Sequence, residues 1–349
     1  MDKEQFIAET LACLDAERGR RPDMQAQDVV KHIFQGLLGV GHLLASPEEV
    51  EAYIARETGA LAGDSAGPLT APLSPAWMRL DLGRAKAEGL TPRAIACMML
   101  DSGPVPEFSR GDVAEACRAW AGSRGVTGLD DAILPLAVPD WLPSHSEIYR
   151  ERYHPAYRVI SRRWEPLLPA IGQALRMAAA RVLITLDGPC ASGKTTLAER
   201  LARPLDAAVI HTDHFVVPHE RKTAERLAVP GGNCDWERLT AEVLEPWKEG
   251  RTGIFRRYDW GPGGLLPPEP LPAQRVMILE GTYCNLPAIR RLADIRLFLD
   301  TPAEVRRQRL EARESPASLR MFDQRWIPLE NAYYEAYGLP DEGCAVISC

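Results

Sequence analysis

The sequence predicts an α/β domain with a parallel sheet flanked by helices, preceded by a mostly α-helical N-terminal domain. Two different patterns of apolar residues along the 349 residues indicate this division. Up to about residue 160, apolar residues recur at helical spacing, whereas from Arg181 onward short β-branched runs alternate with helical stretches. A glycine-rich loop joins the first of these runs to its helix. We therefore place the helical domain at 1–160 and the α/β domain at 161–349.

Helical patterns fill the first domain, and two of them begin at capping signals. Thr91-Pro92 is typical of a helix start, and Ser144-His-Ser-Glu147 matches a capping box. The segment 59–75 is rich in Gly, Pro and Ser, which predicts a loop. The predicted helices cover 5–16, 29–38, 76–89, 91–100, 112–120, 145–153 and 164–180. The segment 144–158 is dense in Tyr, His and Arg, and predicts either a recognition surface or a seam between domains.

The second domain shows strands that alternate with helices. Strands are predicted at 181–187, 208–211, 275–280 and 295–299, and helices at 195–202, 236–249 and 302–314. This alternation favours parallel pairing with right-handed crossovers.

Composition limits the possible partners. The formal net charge of −7 argues against non-specific nucleic-acid binding, which depends on basic surface. No apolar run reaches the length of a membrane span, and the N-terminal Met-Asp-Lys-Glu-Gln has no apolar signal-peptide core. The eight cysteines are scattered, as is typical of reduced thiols. We expect a cytoplasmic protein with no nucleic-acid or membrane partner, and a homo-oligomer stays open.

Residues 188–195 match the phosphate-binding pattern G-x-x-x-x-G-K-[ST]. In such a loop, successive backbone N–H groups and the N-terminus of the following helix bind phosphate oxygens. Lys194 is expected to reach the β- and γ-phosphates, and the Thr195 hydroxyl to hold Mg²⁺. The strand before the loop and the helix after it favour a nucleotide site over a turn that binds nothing. The predicted nucleotide-binding residues are Gly188, Pro189, Cys190, Ala191, Ser192, Gly193, Lys194, Thr195 and Thr196.

The C-terminal half resembles the uridine kinase and phosphoribulokinase family of P-loop small-molecule kinases. The resemblance covers about 181–335 and rests on the segments 187–196, 211–215, 233–235, 258–260 and 279–281, with an arginine-rich helix after 299–301. It implies a P-loop kinase domain that uses ATP and Mg²⁺. It also implies transfer of the γ-phosphate to a hydroxyl of a small nucleoside-like or sugar-like metabolite. The N-terminal half shows no such resemblance, and its role stays open.

Two carboxylates follow predicted strands of the second domain. In the resembled family the acid at the position of Asp213 orients the acceptor hydroxyl and takes its proton. An acid at the tip of a buried strand, such as Glu280, holds Mg²⁺ beside a P-loop. A single acid there favours transfer to a substrate over hydrolysis. The alternatives are a turn or cap aspartate for Asp213 and a surface glutamate for Glu280.

The helix at 302–314 carries several arginines. Arg306, Arg309 and Arg313 share a face by their spacing, whereas Arg307 points elsewhere. In the resembled kinases this region is a lid that closes over ATP, and guanidinium groups neutralise charge on the transferred phosphoryl group. The alternative is a solvated helix whose arginines pair with Glu304, Glu311 and Glu314.

Asp235, Tyr258 and Trp260 fall where the family contacts its acceptor. Asp235 predicts either a ligand for sugar-like hydroxyls or the cap of the helix at 236–249. Tyr258 and Trp260 either stack on a flat acceptor or pack in the protein. Two departures concern substrate choice: Val216 stands where uridine kinases have a tyrosine, and Gly-Pro-Gly-Gly at 261–264 stands where they have a pyrimidine-reading histidine. The acceptor therefore need not be uridine or cytidine.

Other functions fit parts of this pattern. An ATP-binding regulatory switch without an acceptor substrate would also need the phosphate loop, but it would not release ADP in response to an acceptor. A scaffold without activity is disfavoured, because Lys194, Thr195, Asp213 and Glu280 are all present. A GTPase is disfavoured because the guanine-reading Asn-Lys-x-Asp segment does not occur.

Overall fold

The computed structural model describes residues 1–39, 46–61, 67–102, 108–261 and 263–348. The chain divides into two compact units, Met1–Leu175 and Arg176–Cys349. The division falls after residue 175, whereas the sequence placed it after residue 160, so the residues between belong with the first unit. In the described ranges no helix combines the length and the apolar composition that a bilayer crossing requires.

The first unit is mostly helical, as predicted, and carries a small antiparallel sheet. The sheet contains β1 (Thr70–Pro72), β2 (Trp77–Asp81) and β3 (Tyr157–Ser161), in the order β1-β2-β3. Its α-helices are α1 (Lys3–Arg20), α2 (Ala26–Leu38), α3 (Pro47–Ala60), α4 (Leu82–Ala87), α5 (Pro92–Asp101), α6 (Arg110–Arg124), α7 (Asp130–Ile133), α8 (Glu147–Tyr153) and α9 (Leu168–Arg176). Short 3₁₀ helices cover Leu134–Ala137 and Arg162–Leu167.

Local signals predicted most of these helices but not the sheet. The Thr91 hydroxyl caps α5 by accepting from the Ala94 N–H, as predicted. Ser146, rather than Ser144, caps α8. The predicted helix at 76–89 is wrong, since its first half is β2 and only Leu82–Ala87 is helical. An apolar run of this length fits either structure, and the pairing of β2 with the distant β3 decides it.

A buried polar network lies inside the first unit. Glu17 accepts hydrogen bonds from Arg79 Nη1 at 2.8 Å and from the Tyr149 hydroxyl at 3.1 Å. Asp28 contacts His145 Nδ1 at 2.8 Å and accepts from the Ser146 N–H at 3.0 Å. All five side chains are buried. His145 and Tyr149 therefore contribute to the interior of this unit rather than to a recognition surface.

The second unit is built on a five-stranded sheet in which every neighbouring pair is parallel, which confirms the predicted sheet. Its order is β10-β9-β4-β8-β5. The strands are β4 (Val182–Asp187), β5 (Ala208–His211), β8 (Val276–Glu280), β9 (Ile295–Asp300) and β10 (Ala345–Ser348), and a separate hairpin pairs β6 (Ile254–Phe255) with β7 (Glu269–Pro270). The last strand, β10, was not predicted from the sequence.

Helices surround this sheet. The α-helices are α10 (Lys194–Leu205), α11 (Ala224–Ala228), α12 (Trp236–Leu239), α13 (Glu245–Lys248), α14 (Pro287–Arg290), α15 (Ala303–Arg313), α16 (Pro316–Met321) and α17 (Ile327–Tyr337). Two π-helical segments, Thr240–Leu244 and Phe322–Trp326, and two 3₁₀ turns, Thr212–His214 and His219–Arg221, complete the set. The predicted helices at 236–249 and 302–314 match α12–α13 and α15 closely.

Candidate active site

The carboxyl ends of three neighbouring strands meet at one edge of the sheet in the second unit. The last residue of β8, Glu280, pairs with Leu186 near the end of β4 and with His211 at the end of β5. The phosphate loop and Asp213 directly follow β4 and β5, respectively. This edge is where open α/β sheets bind ligands.

A cavity of about 690 Å³ lies at this edge. Its lining divides into a polar part around the phosphate loop and an aromatic part. The polar part includes the loop residues from Cys190 to Thr196, together with Asp213, Glu280, Arg309, Arg313 and Glu330. The aromatic part includes Phe215, Trp260, Tyr283, Phe322 and Trp326. The lining of the cavity therefore combines charged and polar groups with aromatic side chains, as ligand sites commonly do.

The phosphate loop has the backbone that its glycines permit. Gly188 has φ +147°, and a Cβ there would lie 2.5 Å from the Leu299 carbonyl oxygen. Lys194 begins α10, and its Nζ donates to the Gly188 and Pro189 carbonyl oxygens at 2.7 and 2.9 Å. The buried Ser192 hydroxyl has no hydrogen-bond partner among the described residues. A phosphate oxygen would satisfy that hydroxyl and would offer Lys194 a charged acceptor. Of the predicted loop residues, only Gly188 and Pro189 are absent from the cavity lining.

The predicted Mg²⁺ ligands lie together. Thr195 Oγ1 donates to Glu280 Oε1 at 3.1 Å, and His211 Nδ1 contacts the same carboxylate oxygen. The hydrogen bond to Glu280 raises the pKa of His211. Across the described residues, no group of three or more His, Cys, Asp and Glu side chains is arranged to hold a metal. The Thr195 hydroxyl and the Glu280 carboxylate are oxygen ligands of the kind that Mg²⁺ prefers, and nucleotide phosphates and water would supply the remaining ligands.

Asp213 lies on the 3₁₀ turn that follows β5 and lines the cavity. Solvent reaches this residue, but the surrounding protein withdraws much of the water that would stabilise a charge. Although the residue is exposed, desolvation by the surrounding protein atoms raises the pKa of the Asp213 carboxyl, and Glu280 adds to the effect while Lys194 opposes it. A carboxylate with a raised pKa is a stronger base toward a hydroxyl proton.

The four arginines of α15 take different positions. Arg309 and Arg313 line the cavity, and Arg309 Nη1 donates to the Ala191 and Ser192 carbonyl oxygens at 3.1 and 2.7 Å. Arg306 is not in the lining, and its Nε donates to the Thr301 carbonyl oxygen at 3.1 Å. Arg307 pairs with Glu311 and Asp323, in line with its predicted orientation away from the site. Two of the three predicted arginines thus face the cavity.

The predicted acceptor residues also separate. Trp260 lines the cavity, and its Nε1 donates to the Asp213 carbonyl oxygen at 3.0 Å. Tyr258 contacts the Trp260 ring edge-on but is not in the lining. Asp235 is 1% exposed and caps α12, and its carboxylate forms ion pairs with Arg221 and Arg238. The structure therefore gives Asp235 the capping role, and it does not place this carboxylate in the cavity lining.

A carboxylate that the sequence did not indicate contacts the phosphate loop. Glu330, on α17, accepts from the Cys190 N–H at 2.9 Å and from Thr282 Oγ1 at 3.1 Å. Burial raises the pKa of Glu330. Three residues later on the same helix, the Tyr333 hydroxyl donates to buried Asp187 at 2.7 Å. The helix α17 thus forms hydrogen bonds to the last residue of β4 and to the phosphate loop.

The thiol of Cys190 is not activated. Burial, with Glu330 nearby, raises its pKa to about 12, so the thiol stays protonated at neutral pH. Cys190 acts here through its backbone N–H, which Glu330 binds.

Comparison with known proteins adds two similarities of fold. A structure described as a possible uridine kinase from Bacillus stearothermophilus is 20% identical, with a TM-score of 0.40, and the match covers 52% of this chain and 97% of that one. A sugar kinase structure from Janibacter is 21% identical, with a TM-score of 0.29, and the match covers 48% of this chain and 85% of that one. No family model matches the sequence, and no curated protein matches it. The function proposed below therefore depends on the geometry of the site.

Proposed function

We propose that the second unit is an ATP- and Mg²⁺-dependent kinase that phosphorylates a hydroxyl of a small metabolite. One observation carries the proposal: Lys194, Thr195, Glu280 and Asp213 line a single cavity. A phosphate cradle, an Mg²⁺ position and a base at one sheet edge are the parts that phosphoryl transfer requires.

The residues have separate tasks in this proposal. The loop amides and Lys194 hold the β- and γ-phosphates. Thr195 and Glu280 would hold Mg²⁺, which would supply positive charge to the phosphates. Asp213 accepts the proton of the acceptor hydroxyl, while the oxygen of that hydroxyl forms a bond to the γ-phosphorus. The bond from the γ-phosphorus to the bridging oxygen breaks, and ADP leaves. Arg309 and Arg313 stabilise the charge on the transferred group.

The aromatic residues of the cavity lining favour an acceptor that is partly flat or apolar. The Trp260 indole N–H donates a hydrogen bond to the backbone carbonyl of Asp213, so an aromatic side chain lies beside the proposed base. Aromatic rings of this kind bind nucleobase-like rings and the apolar faces of sugars. Asn233 lines the cavity, and its buried carbonyl oxygen, Oδ1, has no hydrogen-bond partner in the part of the chain that the structure describes. We therefore propose a nucleoside-like or sugar-like acceptor that offers a hydrogen-bond donor to Asn233.

A coupled ADP-release screen tests the proposal. Purified protein with Mg²⁺ and ATP is offered nucleosides, sugars, vitamins and hydroxylated antibiotics, and Lys194→Ala serves as the blank. We expect one acceptor class to stimulate ADP release by the wild type and not by the variant. ADP formation by the variant at the wild-type rate would refute the proposal. Tight ATP binding that no acceptor converts into ADP release would favour a regulatory switch instead.

A further inference from the structure

The polar face of α2 meets the buried network of the first unit. Asp28, Lys31 and Gln35 share this face, because they are three and four residues apart. Asp28 contacts His145 Nδ1 at 2.8 Å, and Gln35 Oε1 accepts from the Tyr157 hydroxyl at 3.1 Å. His145 Nε2 lies 2.7 Å from the same hydroxyl. Lys31, which is half-buried, therefore stands on the helix between two residues of this network.

Asp28 has no acceptor capacity left for Lys31. Besides its contact with His145, the Asp28 carboxylate accepts from the backbone N–H groups of Gln25 and Ser146, both at 3.0 Å. It also accepts from the Ser146 hydroxyl at 2.6 Å. These contacts fill the roughly four lone-pair positions that a carboxylate offers.

Glu17, the other carboxylate of the network, is occupied in the same way. Besides its hydrogen bonds from Arg79 and Tyr149, it pairs with Arg20 at 3.0 Å and with Arg21 at 3.1 Å. Three guanidinium groups therefore share the single negative charge of Glu17, and none of that charge is left for a further cation.

Positive groups of the network remain without an acceptor. Arg79 is 4% exposed, and its Nε and Nη2 have no hydrogen-bond partner among the described residues. Lys31 forms no hydrogen bond and no ion pair within the described ranges. The pKa of Lys31 is lowered to about 8, because burial disfavours the ammonium charge and because Arg79 and Arg150 repel it more than Asp28 attracts it. A surplus of cationic donors over acceptors attracts an anion.

Arg150 approaches this place from α8. The Tyr149 ring stacks on His145 with centroids 4.1 Å apart, and His145 contacts Asp28, which lies one turn before Lys31 on α2. Arg150 follows Tyr149 and is exposed, and its side chain has no hydrogen bond or ion pair in the part of the chain that the structure describes. Lys31 and Arg150 are therefore two unpaired cations that solvent reaches.

We propose that the first unit binds a small oxyanion, a phosphate or a carboxylate group of a metabolite, beside Lys31 and Arg150. The oxyanion would supply the acceptor oxygens that Asp28 and Glu17 no longer offer. Arg79 would act on it as a buried positive charge. The inference concerns the first unit alone, so the ADP-release screen of the kinase proposal and the test below succeed or fail independently.

Competitive acetylation of the full chain tests the proposal at Lys31 itself. The protein is labelled with a trace of an acetylating ester near pH 8, where Lys31 is half protonated, and mass spectrometry gives the Lys31 rate relative to exposed Lys3. Inorganic phosphate and acetate are added in separate series, against sodium chloride at the same ionic strength. We expect one of the two oxyanions to slow the acetylation of Lys31 about fivefold relative to chloride, because a bound anion favours the ammonium form. The oxyanion that acts at the lower concentration identifies the class of ligand.

Matched variants on α8 locate the bound anion. In Arg150→Gln the oxyanion concentration that gives half of the protection should rise, by up to about fivefold for an exposed charge. Arg152→Gln removes a neighbouring charge that is 66% exposed and pairs with Asp23, and it should leave that concentration unchanged. Lys194→Ala should also keep the protection, because the phosphate loop takes no part in it.

Three results would overturn the inference. The first is an equal Lys31 rate in phosphate, acetate and chloride. The second is the same half-protecting concentration in Arg150→Gln as in the wild type. The third is loss of the protection in Lys194→Ala, since the anion would then act from the phosphate loop.

Discussion

Glu17 and Asp28 in the first unit and Asp187, Asp213 and Glu330 in the second differ in the sign of their pKa shifts. In the first unit, burial raises the pKa of Glu17, but Arg79 and Arg21 more than offset it and lower the pKa to about 2. Asp28 behaves alike, since hydrogen bonds from His145 and Ser146 outweigh its burial. In the second unit, burial outweighs the nearby donors and Lys194, so the pKa values of Asp187, Asp213 and Glu330 are raised.

This difference separates carboxylates whose charge the fold compensates from carboxylates whose charge it compensates less. The carboxylates of the first unit have their charge compensated within the fold and stabilise it. The carboxylates of the second unit are held near a cavity with less compensation than their charge needs, which is typical of a site that binds cations or moves protons. The sign of a pKa shift does not by itself assign a role to a carboxylate. Asp213 and Glu330 also line the cavity, and this position supports a role in binding or proton transfer.

The largest expected effect is at Asp213. Asp213→Asn keeps the shape of the side chain and removes the base, so we expect transfer to fall by about 10²- to 10⁴-fold with Mg·ATP binding retained. Acceptor-dependent ADP release and equilibrium ATP binding measure the two parts. Asp235→Asn is the matched control, because Asp235 caps α12 outside the cavity lining, and it should lower thermal stability with turnover of the folded protein kept. Equal losses of turnover in the two variants would contradict the assignment of Asp213.

The next largest effect is expected at the buried Glu17–Arg79 ion pair of the first unit. Arg79→Met leaves Glu17 buried without its main partner, and we expect a loss of about 3–5 kcal/mol from the first unit. Arg20→Met is the control, since Arg20 contacts the same carboxylate but is 56% exposed, and its loss should cost at most about 1 kcal/mol. Hydrogen exchange on the full chain measures both. Similar hydrogen-exchange protection in the two variants would show that the buried Arg79–Glu17 pair stabilises the first unit no more than the exposed Arg20–Glu17 pair does.

The pH dependence of the first unit sharpens the comparison further. The pKa of Glu17 is about 2 in the folded state and 4.5 in its ordinary state, so its stabilising contribution is present above pH 4.5 and is lost as the pH falls toward 2. The contribution is on the order of 3 kcal/mol. The stability difference between the wild type and Glu17→Gln should shrink over that interval. A difference that stays constant from pH 7 to below pH 3 would show that Glu17 is not compensated as described.

The Asp213 carboxylate should also be protonated as the pH falls, but at a higher pH than Glu17, because its pKa is raised rather than lowered. Since its pKa is raised, the acidic limb of the pH–rate profile should lie above the range of an ordinary aspartate, with the rate falling as the base is protonated. A profile that stays flat down to the ordinary carboxylate range would place the base elsewhere.

The smallest expected effect is at Glu330. Glu330→Gln keeps a carbonyl oxygen for the Cys190 N–H and removes a negative charge from the phosphate pocket, so the KM for ATP should fall a few-fold, about 1 kcal/mol. Glu330→Ala also loses the hydrogen bond and should raise the KM. Steady-state kinetics at varied ATP separate the two, and a rise in both variants would show that the hydrogen bond alone matters.

Sequence reasoning succeeded where a signal is local. The strand at 208–211 was predicted to the residue, and the loop at 188–195 was placed between its strand and its helix, because both patterns are contiguous. Glu330 could not be predicted, since it lies 140 residues from the Cys190 N–H that it binds. Trp326 was missed for the same reason. In the first unit β2 was predicted as helix, because its partner β3 lies far along the chain.

The proposed role of the second unit is tested most directly by a calorimetric titration of Mg·ATP into the wild type and Lys194→Ala. We expect the wild type to bind and the variant to bind at least tenfold more weakly, since a charge-assisted contact of this kind contributes about 1.5–3 kcal/mol. Equal affinity in the two proteins, with both folded, would contradict the claim that the loop before α10 is a nucleotide site.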